Sequence, residues 1–379
     1  MRSKHLILLG TLAAFLILCG GSATAQIVYG QPASGNVTAY ITHWKVTADD
    51  GTETTLNQFA IPLTGFVPVR EDFEVSLYIA NASNSVDFPD AEYKLSGLSD
   101  VRLQANHSFV EDQLLLSVGV NLPTGKKKLS LGEEWAVLRA LSQNYLDFPV
   151  VRLGEGLGFN ALLGGAAMLS EKIRGGAGIM YQYVGKYEPY EGYADYDPGD
   201  LISANAGADF EGKRSTLSID AILTMYTDDK KDSEKIFRQS TQLDLRLSAR
   251  VGDEKKSFAG MARYVMRGDN KQYDESGAEI SSLKMFGDEF SIMGGATFMF
   301  ANEMYFSPAA ELRSIAGNGE NLEAEIEGAT IIGFGGTLGK RIGENLNLEG
   351  GFKYYTGSAH GGDLDLSGYQ ITFGLAATM

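Results

Sequence analysis

The strongest constraint on the fold is a regular alternation of apolar with polar or small side chains in short segments. In "QLLLSVGVNLPTGKKK", residues 113–128, apolar residues occupy every second position: Leu114, Leu116, Val118, Val120 and Leu122. Between them lie Leu115, Ser117, Gly119 and Asn121. Successive side chains of a strand point to opposite faces, so this pattern predicts a strand with one apolar face. That face must contact either a second sheet of a soluble sandwich or the lipid around a membrane barrel.

The same alternation recurs elsewhere in the chain. Residues 101–109 place apolar side chains on one face and Arg102, Gln104, Asn106 and Ser108 on the other. In residues 237–251, an apolar series is opposed by an unbroken polar series: Gln242, Asp244, Arg246, Ser248 and Arg250. A strand of this kind needs water on its polar side.

The connections between these segments favour the membrane barrel. Short turns are predicted around residues 70–71, 111–112, 170–172, 211–213, 252–255, 301–303 and 341–345. They alternate with longer polar connections such as "TDDKKDSE" and "RGDNKQYDESGAE". Strict alternation of short and long connections is typical of an all-β, up-and-down transmembrane barrel with tight periplasmic turns and longer outer loops. The count predicts about 16 antiparallel strands with both termini in the periplasm.

The first 25 residues resemble a secretory signal peptide. Arg2 and Lys4 precede the apolar run "LILLGTLAAFLILC", and small residues follow at positions 23–25. We therefore expect export across the inner membrane to the outer membrane of a Gram-negative bacterium. A short periplasmic segment is then predicted for residues 26–36 and the barrel for residues 37–379. The only cysteine, Cys19, lies in the signal, so the exported chain would have neither disulfides nor cysteine-bound metals.

Composition argues against other classes of function. A net charge of −16 is unfavourable for binding nucleic acid. The exported chain has three histidines, His43, His107 and His360, and the sequence places none of them with a nucleophile and a third group in a catalytic arrangement. We therefore predict no catalytic residues, no cofactor and no metal site.

One long segment resembles a known family. "GLSDVRLQANHSFVEDQLLLSVGVNLPTG", residues 97–125, is similar to a segment of the outer membrane proteins of the MetA-pathway phenol degradation family, which are related in architecture to FadL-type transporters of hydrophobic compounds. The resemblance implies a transport barrel. FadL-type barrels have about fourteen strands and an N-terminal hatch in the lumen, so an alternative assigns residues 26–69 to a hatch and about 14 strands to the barrel. The chain departs from the usual barrel terminus by ending in Met379 instead of an aromatic residue.

Two groups of residues are candidates for a functional site. The first is a set of polar side chains predicted to line the lumen: Arg102, Gln104, Arg174, Gln182, Arg238, Gln242, Asp244, Arg246, Arg250 and Arg263. The second is the apolar side of a short amphipathic helix in the connection after residue 128: Trp135, Leu138, Leu141 and Tyr145. This helix could form a constriction in the lumen, lie at the lipid headgroups, or offer a docking surface to an apolar solute. It could also simply cap the barrel.

Two functions remain open from the sequence. The first is a passive channel or transporter for small or hydrophobic molecules, with outer membrane lipid and a small hydrophobic solute as partners. The alternative is a structural or adhesion barrel whose lumen is filled by side chains. Pairing of the polar series from Arg238 to Arg250 with acidic residues on a neighbouring strand, such as Asp220, would indicate a filled lumen, and unpaired charges would indicate water.

Overall fold

The computed structural model describes residues 32–110, 113–318 and 328–379. The predicted signal and the turn at residues 111–112 lie outside these ranges. The strands, in chain order, are β1 (Ser34–Ala48), β2 (Glu53–Arg70), β3 (Phe73–Asp87), β4 (Glu92–Leu98), β5 (Val101–Phe109), β6 (Leu114–Leu122), β7 (Gly158–Ser170), β8 (Ile173–Val184), β9 (Tyr196–Asp197), β10 (Leu201–Glu211), β11 (Ser215–Tyr226), β12 (Asp229–Lys231), β13 (Glu234–Arg238), β14 (Gln242–Gly252), β15 (Lys256–Arg267), β16 (Asn270–Tyr273), β17 (Glu279–Leu283), β18 (Glu289–Met299), β19 (Met304–Ile315), β20 (Ala329–Ile342), β21 (Leu346–Ala359) and β22 (Leu364–Thr378). One α-helix, α1 (Glu133–Leu141), and two short 3-10 turns, Ala301–Glu303 and His360–Gly362, complete the described elements.

The chain forms a closed antiparallel barrel of 16 strands, as predicted. Strands β4 and β5 both pair with β3 and act as one interrupted barrel strand, while β9, β12, β13, β16 and β17 lie outside the barrel. The barrel closes where β1 pairs with β22, from Ser34 opposite Thr378 to Ala48 opposite Leu364. Because residues 34–70 form β1 and β2, the alternative with an N-terminal hatch and 14 strands is wrong. The first strand begins at Ser34, slightly before the predicted boundary at residue 37.

The two ends of the barrel have different connections. At one end, here called the turn end, adjacent strands are joined by short turns and both termini of the barrel lie close together. The other end, here called the loop end, carries the long connections 123–157, 185–200, 227–241 and 268–288. Three connections at the loop end are short, at residues 49–52, 88–91 and 360–363, so the predicted alternation is not strict. Beside them, β1, β2 and β3 are 15 to 18 residues long and extend the wall itself.

The outer face carries the apolar side chains that the alternation predicts. Leu114, Leu116 and Val118 are 43%, 38% and 50% exposed. Further exposed apolar side chains occur on other barrel strands, among them Phe159, Leu223, Leu247, Ile292, Phe334 and Phe373. An apolar band around a closed barrel is the surface that lipid covers, so the barrel is a transmembrane one. Within the described ranges, no helix is both long enough and apolar enough to span a bilayer.

Three of the loop-end connections pair with one another in a second sheet. This five-stranded sheet has the order β17-β16-β13-β12-β9 and draws its strands from connections 185–200, 227–241 and 268–288. The sequence suggested one continuous strand over residues 237–251, but the structure divides it between β13 and β14. Arg238 therefore lies in the second sheet, where its Nε donates to Asp228 Oδ1 at 2.6 Å. The prediction that Arg238 lines the barrel lumen is wrong.

Candidate functional site

The strand register determines which side chains point into the barrel. Residues paired across neighbouring strands share a face, and the outer face is identified by the exposed apolar side chains. Except for Arg238, the predicted lumen residues all lie on the inner face: Arg102, Gln104, Arg174, Gln182, Gln242, Asp244, Arg246, Arg250 and Arg263. The inner wall formed by β8, β10, β11, β14 and β15 is therefore polar.

A buried carboxylate organises the centre of this polar wall. Asp244 is 9% exposed and accepts hydrogen bonds from two guanidinium groups. Arg246 Nη2 lies 2.7 Å from Asp244 Oδ2 on the same strand, and Arg263 Nη2 lies 2.9 Å from the same oxygen on the neighbouring strand β15. Asp220 stands opposite Arg246 in the register, but the ion pair of Arg246 is with Asp244. Shielding from water makes such a carboxylate dependent on its cationic partners.

Other interior ion pairs also run along the wall. Arg267 Nη2 lies 3.1 Å from Glu289 Oε2 on the adjacent strand β18. Lys353 Nζ lies 2.7 Å from Glu311 Oε2 and reaches it across β20, where Gly333 has no side chain to obstruct the pair. In each of these pairs the two residues lie on the same strand or on strands no more than two places apart. The pairs therefore line the wall and do not bridge the lumen.

Water reaches part of the inner wall. The side chain of Arg174 is 43% exposed and that of Arg263 is 31% exposed, although both point inward. On the other side of the barrel, the inner residues of β2 become more exposed toward the turn end, from buried Ala60 to exposed Thr64. The interior is thus accessible from the turn end, while its loop end is occupied on one side.

The segment that occupies the loop end is connection 123–157, which contains α1 and is here called the lumen loop. Leu138, Leu141 and Tyr145 are buried, and Tyr145 lies beyond the end of the helix. They belong to an apolar cluster that includes inner-face residues of the wall: Trp44, Leu56, Val86, Leu95, Ile331, Tyr355 and Leu366. The sequence left open whether the helix lies in the lumen, at the lipid headgroups or as a cap on the barrel. In the structure the loop lies inside the barrel and packs against β1 to β4 and β20 to β22.

Polar contacts fix the second half of the lumen loop to three inner-wall residues. Gln58 on β2 is 2% exposed and hydrogen-bonds both the N–H and the C=O of Val150. Tyr355 on β21 donates from its hydroxyl to Asp147 Oδ2 at 3.2 Å. Arg313 on β19 donates from Nη2 to the carbonyl oxygen of Asn144 at 2.6 Å. These contacts are spread over widely separated strands, so the loop spans part of the barrel opening.

Trp135 is placed differently from the other predicted helix residues. It is only partly buried, and its ring centroid lies 4.7 Å from that of Tyr190 in connection 185–200. Tyr190 in turn stacks on Tyr193 at 4.9 Å, and Leu129 forms backbone hydrogen bonds with Pro189 and Glu191. Trp135 therefore joins the lumen loop to its neighbouring outer connection.

Sequence reasoning missed the residues that receive the loop. Val137 is fully buried on α1 but was not assigned to its apolar side, and Trp44 and Gln58 were not singled out at all. A signal for Gln58 exists, because it is a lone amide between Leu56 and Ala60 on the same buried face. Within the described ranges, no three His, Asp or Glu side chains form a group that could hold a metal ion.

Comparisons with known proteins give the fold but no family. No protein-family model matches the sequence, and no curated protein matches it. Among solved structures, the chain is similar to Pseudomonas putida OprB at high pH, with 8% identity, a TM-score of 0.51 and coverage of 98% of this chain and 97% of that one. It also matches Pseudomonas aeruginosa OprD, with 9% identity, a TM-score of 0.44 and coverage of 91% of this chain and 94% of that one. The match to the CymD monoaromatic hydrocarbon channel has 12% identity, a TM-score of 0.44 and coverage of 92% of this chain and 89% of that one. The protein thus has the fold of a 16-stranded outer membrane β-barrel.

Proposed function

We propose that this protein is a passive channel or transporter for small or hydrophobic molecules in the bacterial outer membrane. The observation that carries the proposal is the division of the barrel interior. The lumen loop packs against one side, while the ion pairs of the opposite side run along the wall and leave Arg174 and Arg263 accessible to water. By the criterion drawn from the sequence, the ion pair of Arg246 with Asp244 favours a filled lumen, whereas the exposure of Arg174 and Arg263 to water favours an open one.

The finer part of the proposal concerns hydrophobic solutes. The segment at residues 97–125 resembles a segment of the MetA-pathway phenol degradation family, which is related in architecture to FadL-type transporters of hydrophobic compounds. The apolar side chains of the lumen loop are buried against the wall, so the resemblance is what supports this part of the proposal. The chemistry is passage without a reaction, and it requires neither cofactor nor metal.

A structural barrel is the second candidate. It is favoured by the extent of the apolar cluster, which seals Leu141, Val137 and Trp44 from water inside the barrel. On this proposal the lumen loop would be a plug, and the outer connections would serve adhesion or envelope integrity.

Single-channel recording in planar bilayers separates the two candidates. The refolded chain of residues 26–379 is compared with a variant lacking residues 133–145, which removes α1 and the following turn. A channel gives steady conductance that increases on deletion, because the deletion widens the lumen. A control deletion of residues 275–277, at the turn between β16 and β17, should leave conductance unchanged. Absence of conductance in every form would contradict the proposal and favour the structural barrel.

Uptake measurements then test the solute class. Liposomes containing the protein are supplied with phenol and, separately, with glycerol as a polar solute of similar mass. Faster entry of phenol, relative to protein-free liposomes, is expected for a hydrophobic-solute transporter. Equal acceleration of both solutes would restrict the proposal to a non-selective channel.

A further inference from the structure

The wall of the barrel has an irregularity next to the lumen loop. Leu98 pairs with Asn81 of β3, whereas Arg102 pairs with Tyr78, so the chain between β4 and β5 contains one residue more than β3. This is a β-bulge, which bends a strand and redirects side chains. Here the two residues between the strands, Ser99 and Asp100, are both buried.

The redirected carboxylate of Asp100 receives four hydrogen bonds. Its Oδ1 accepts from the N–H of Gly125 at 2.8 Å. Its Oδ2 accepts from the N–H groups of Glu155 and Gly156, at 2.8 Å and 3.2 Å, and from Asn121 Nδ2 at 2.9 Å. Gly125 lies near the beginning of the lumen loop, and Glu155 and Gly156 lie near its end. One carboxylate on the wall therefore binds both ends of the loop.

The two ends of the loop are in backbone contact at this point. A Cβ atom on Gly125 would lie 2.0 Å from the carbonyl oxygen of Leu153, and one on Gly154 would lie 3.0 Å from the carbonyl carbon of Gly125. Only glycine allows this approach at position 125, whereas a side chain at position 154 would require its neighbours to shift slightly. We call residues 125–126 and 153–156, together with Asp100, the neck of the lumen loop.

We propose that Asp100 is the positioning residue of the lumen loop, and that the neck keeps the loop in one place in the lumen and so sets a steady conductance. An ionised carboxylate has no proton to donate and matches a site where all four neighbours are N–H donors. The loop is thus a fixed part of the channel lining and not a swinging lid. The effect on conductance rests on the proposed function, whereas the attachment of the loop does not.

Two substitutions at Asp100 should have graded effects. D100N can keep an oxygen toward the three donors on the Oδ2 side, but it then turns its amide toward the N–H of Gly125 and releases only that end. D100A releases both ends. We expect open-channel current fluctuations to increase from wild type to D100N to D100A. Trypsin cleavage at the lysines and arginines of the loop, Lys126, Lys127, Lys128, Arg139 and Arg152, should accelerate by about tenfold in D100A.

A reversible cross-link distinguishes a positioning role from a general folding role. An ideal Cβ on Gly97 lies 3.7 Å from the Cβ of Lys126, which is within the range for a disulfide. Cys19 is the only native cysteine and is removed with the predicted signal, so G97C with K126C introduces a single defined pair. In the D100A background, the oxidised protein should show small current fluctuations and slow trypsin cleavage. Reduction of the disulfide should increase both the fluctuations and the cleavage rate. The G97C and K126C pair with Asp100 intact serves as the background control.

A matched carboxylate tests whether the effect is specific to the neck. Asp253 accepts backbone N–H bonds from Lys255 and Lys256 in a turn at the opposite end of the barrel, so D253A should leave fluctuations and loop cleavage unchanged. If the wild type does not conduct, the proposed function fails and trypsin cleavage alone decides the role of Asp100. The inference would be overturned if trypsin cleaved the loop of D100A at the wild-type rate. It would also be overturned if the oxidised and reduced forms of the cross-linked protein did not differ in cleavage rate or current fluctuations. Failure of D100A to form a barrel both with and without the cross-link would overturn it as well.

Discussion

Gln58 hydrogen-bonds both backbone polar groups of one residue in the lumen loop, Val150, although 92 residues separate the two in the sequence. Its Nε2 donates to the carbonyl oxygen of Val150 at 2.6 Å, and its Oε1 accepts from the N–H at 3.1 Å. The same Nε2 lies 2.6 Å from Asn84 Oδ1, and Asn84 Nδ2 donates to the carbonyl oxygen of Leu95. A buried loop backbone needs such partners, because water cannot reach it.

The first prediction concerns this contact. Gln58→Leu preserves the approximate volume but leaves the N–H and C=O of Val150 without their partner. Each buried unpaired group costs about 1–3 kcal/mol. The free energy needed to detach the loop locally from the wall should therefore fall by about that amount. Amide exchange at residues 148–152 should accelerate. Gln370→Leu is the control, since that glutamine contacts Thr42 on the wall and not the loop. Unchanged exchange in Gln58→Leu would mean that the apolar cluster alone seats the loop.

The outer face of the barrel strands could be predicted from the sequence, because it depends on a local rule. Alternation assigns Leu114, Leu116 and Val118 to one face without knowledge of their neighbours. The same rule explains the error at Arg238. It has the same parity as Gln242, and alternation cannot show that the chain leaves the barrel between them.

The contacts inside the barrel could not be predicted, because they depend on how far neighbouring strands are offset. The meeting of Asp244 with Arg263 requires the register of β14 against β15, and no local pattern encodes it. The position of the lumen loop depends in addition on the closure of β22 onto β1, which brings Trp44 and Tyr355 within 4.9 Å between ring centroids. The helix could be predicted from the sequence, whereas the part of the wall that it contacts could not.

The second prediction concerns ion selectivity. Asp244→Asn removes the negative charge between Arg246 and Arg263 and leaves two arginines facing the lumen with reduced compensation. The conductance should become more selective for anions, because the local potential becomes more positive. The reversal potential in a KCl gradient measures this change. A loss of stability of up to about 3 kcal/mol should accompany it, reduced by the solvent exposure of Arg263.

The control for this substitution is Asp253→Asn, which removes an equal charge from an exposed turn. Its reversal potential should match the wild type. If both variants shift the potential equally, selectivity depends on total charge at the pore and the wall around Asp244 has no special role.

The third prediction concerns acid stability of the outer five-stranded sheet. Burial alone would raise the pKa of Asp228, but hydrogen bonds from Arg238, Lys235 and Tyr273 outweigh it and hold the pKa well below its usual value of 3.8. A carboxyl group with a lowered folded-state pKa stabilises the folded form at any pH above the usual value. That contribution is lost only as the pH falls through the folded-state pKa. The sheet should therefore remain intact at pH 4 and loosen in stronger acid.

Asp228→Asn should weaken the sheet already at pH 7, because the amide has no charge to pair with Arg238 or Lys235. Amide exchange in residues 229–238, corrected for intrinsic rates, should increase at pH 7 and lose its dependence on acid. Asp232→Asn, in the turn between β12 and β13, is the matched control. Equal protection in Asp228→Asn and the wild type at pH 7 would show that these ion pairs do not hold the sheet.

The fourth prediction separates the two attachments of the lumen loop. Trp135→Ala removes the ring that contacts Tyr190, and the ring pair should contribute about 0.5–1.5 kcal/mol to the link between the loop and connection 185–200. Trypsin cleavage at Lys186 should accelerate, whereas Trp135→Phe should largely preserve the link. Trp44 is the only other tryptophan and is fully buried under the loop. Its fluorescence therefore shows whether the loop still covers the inner wall. In Trp135→Ala the emission of Trp44 should stay at short wavelength, because Gln58, Tyr355 and Arg313 still hold the loop. A shift to longer wavelength would mean that the outer connection, and not the barrel wall, keeps the loop inside.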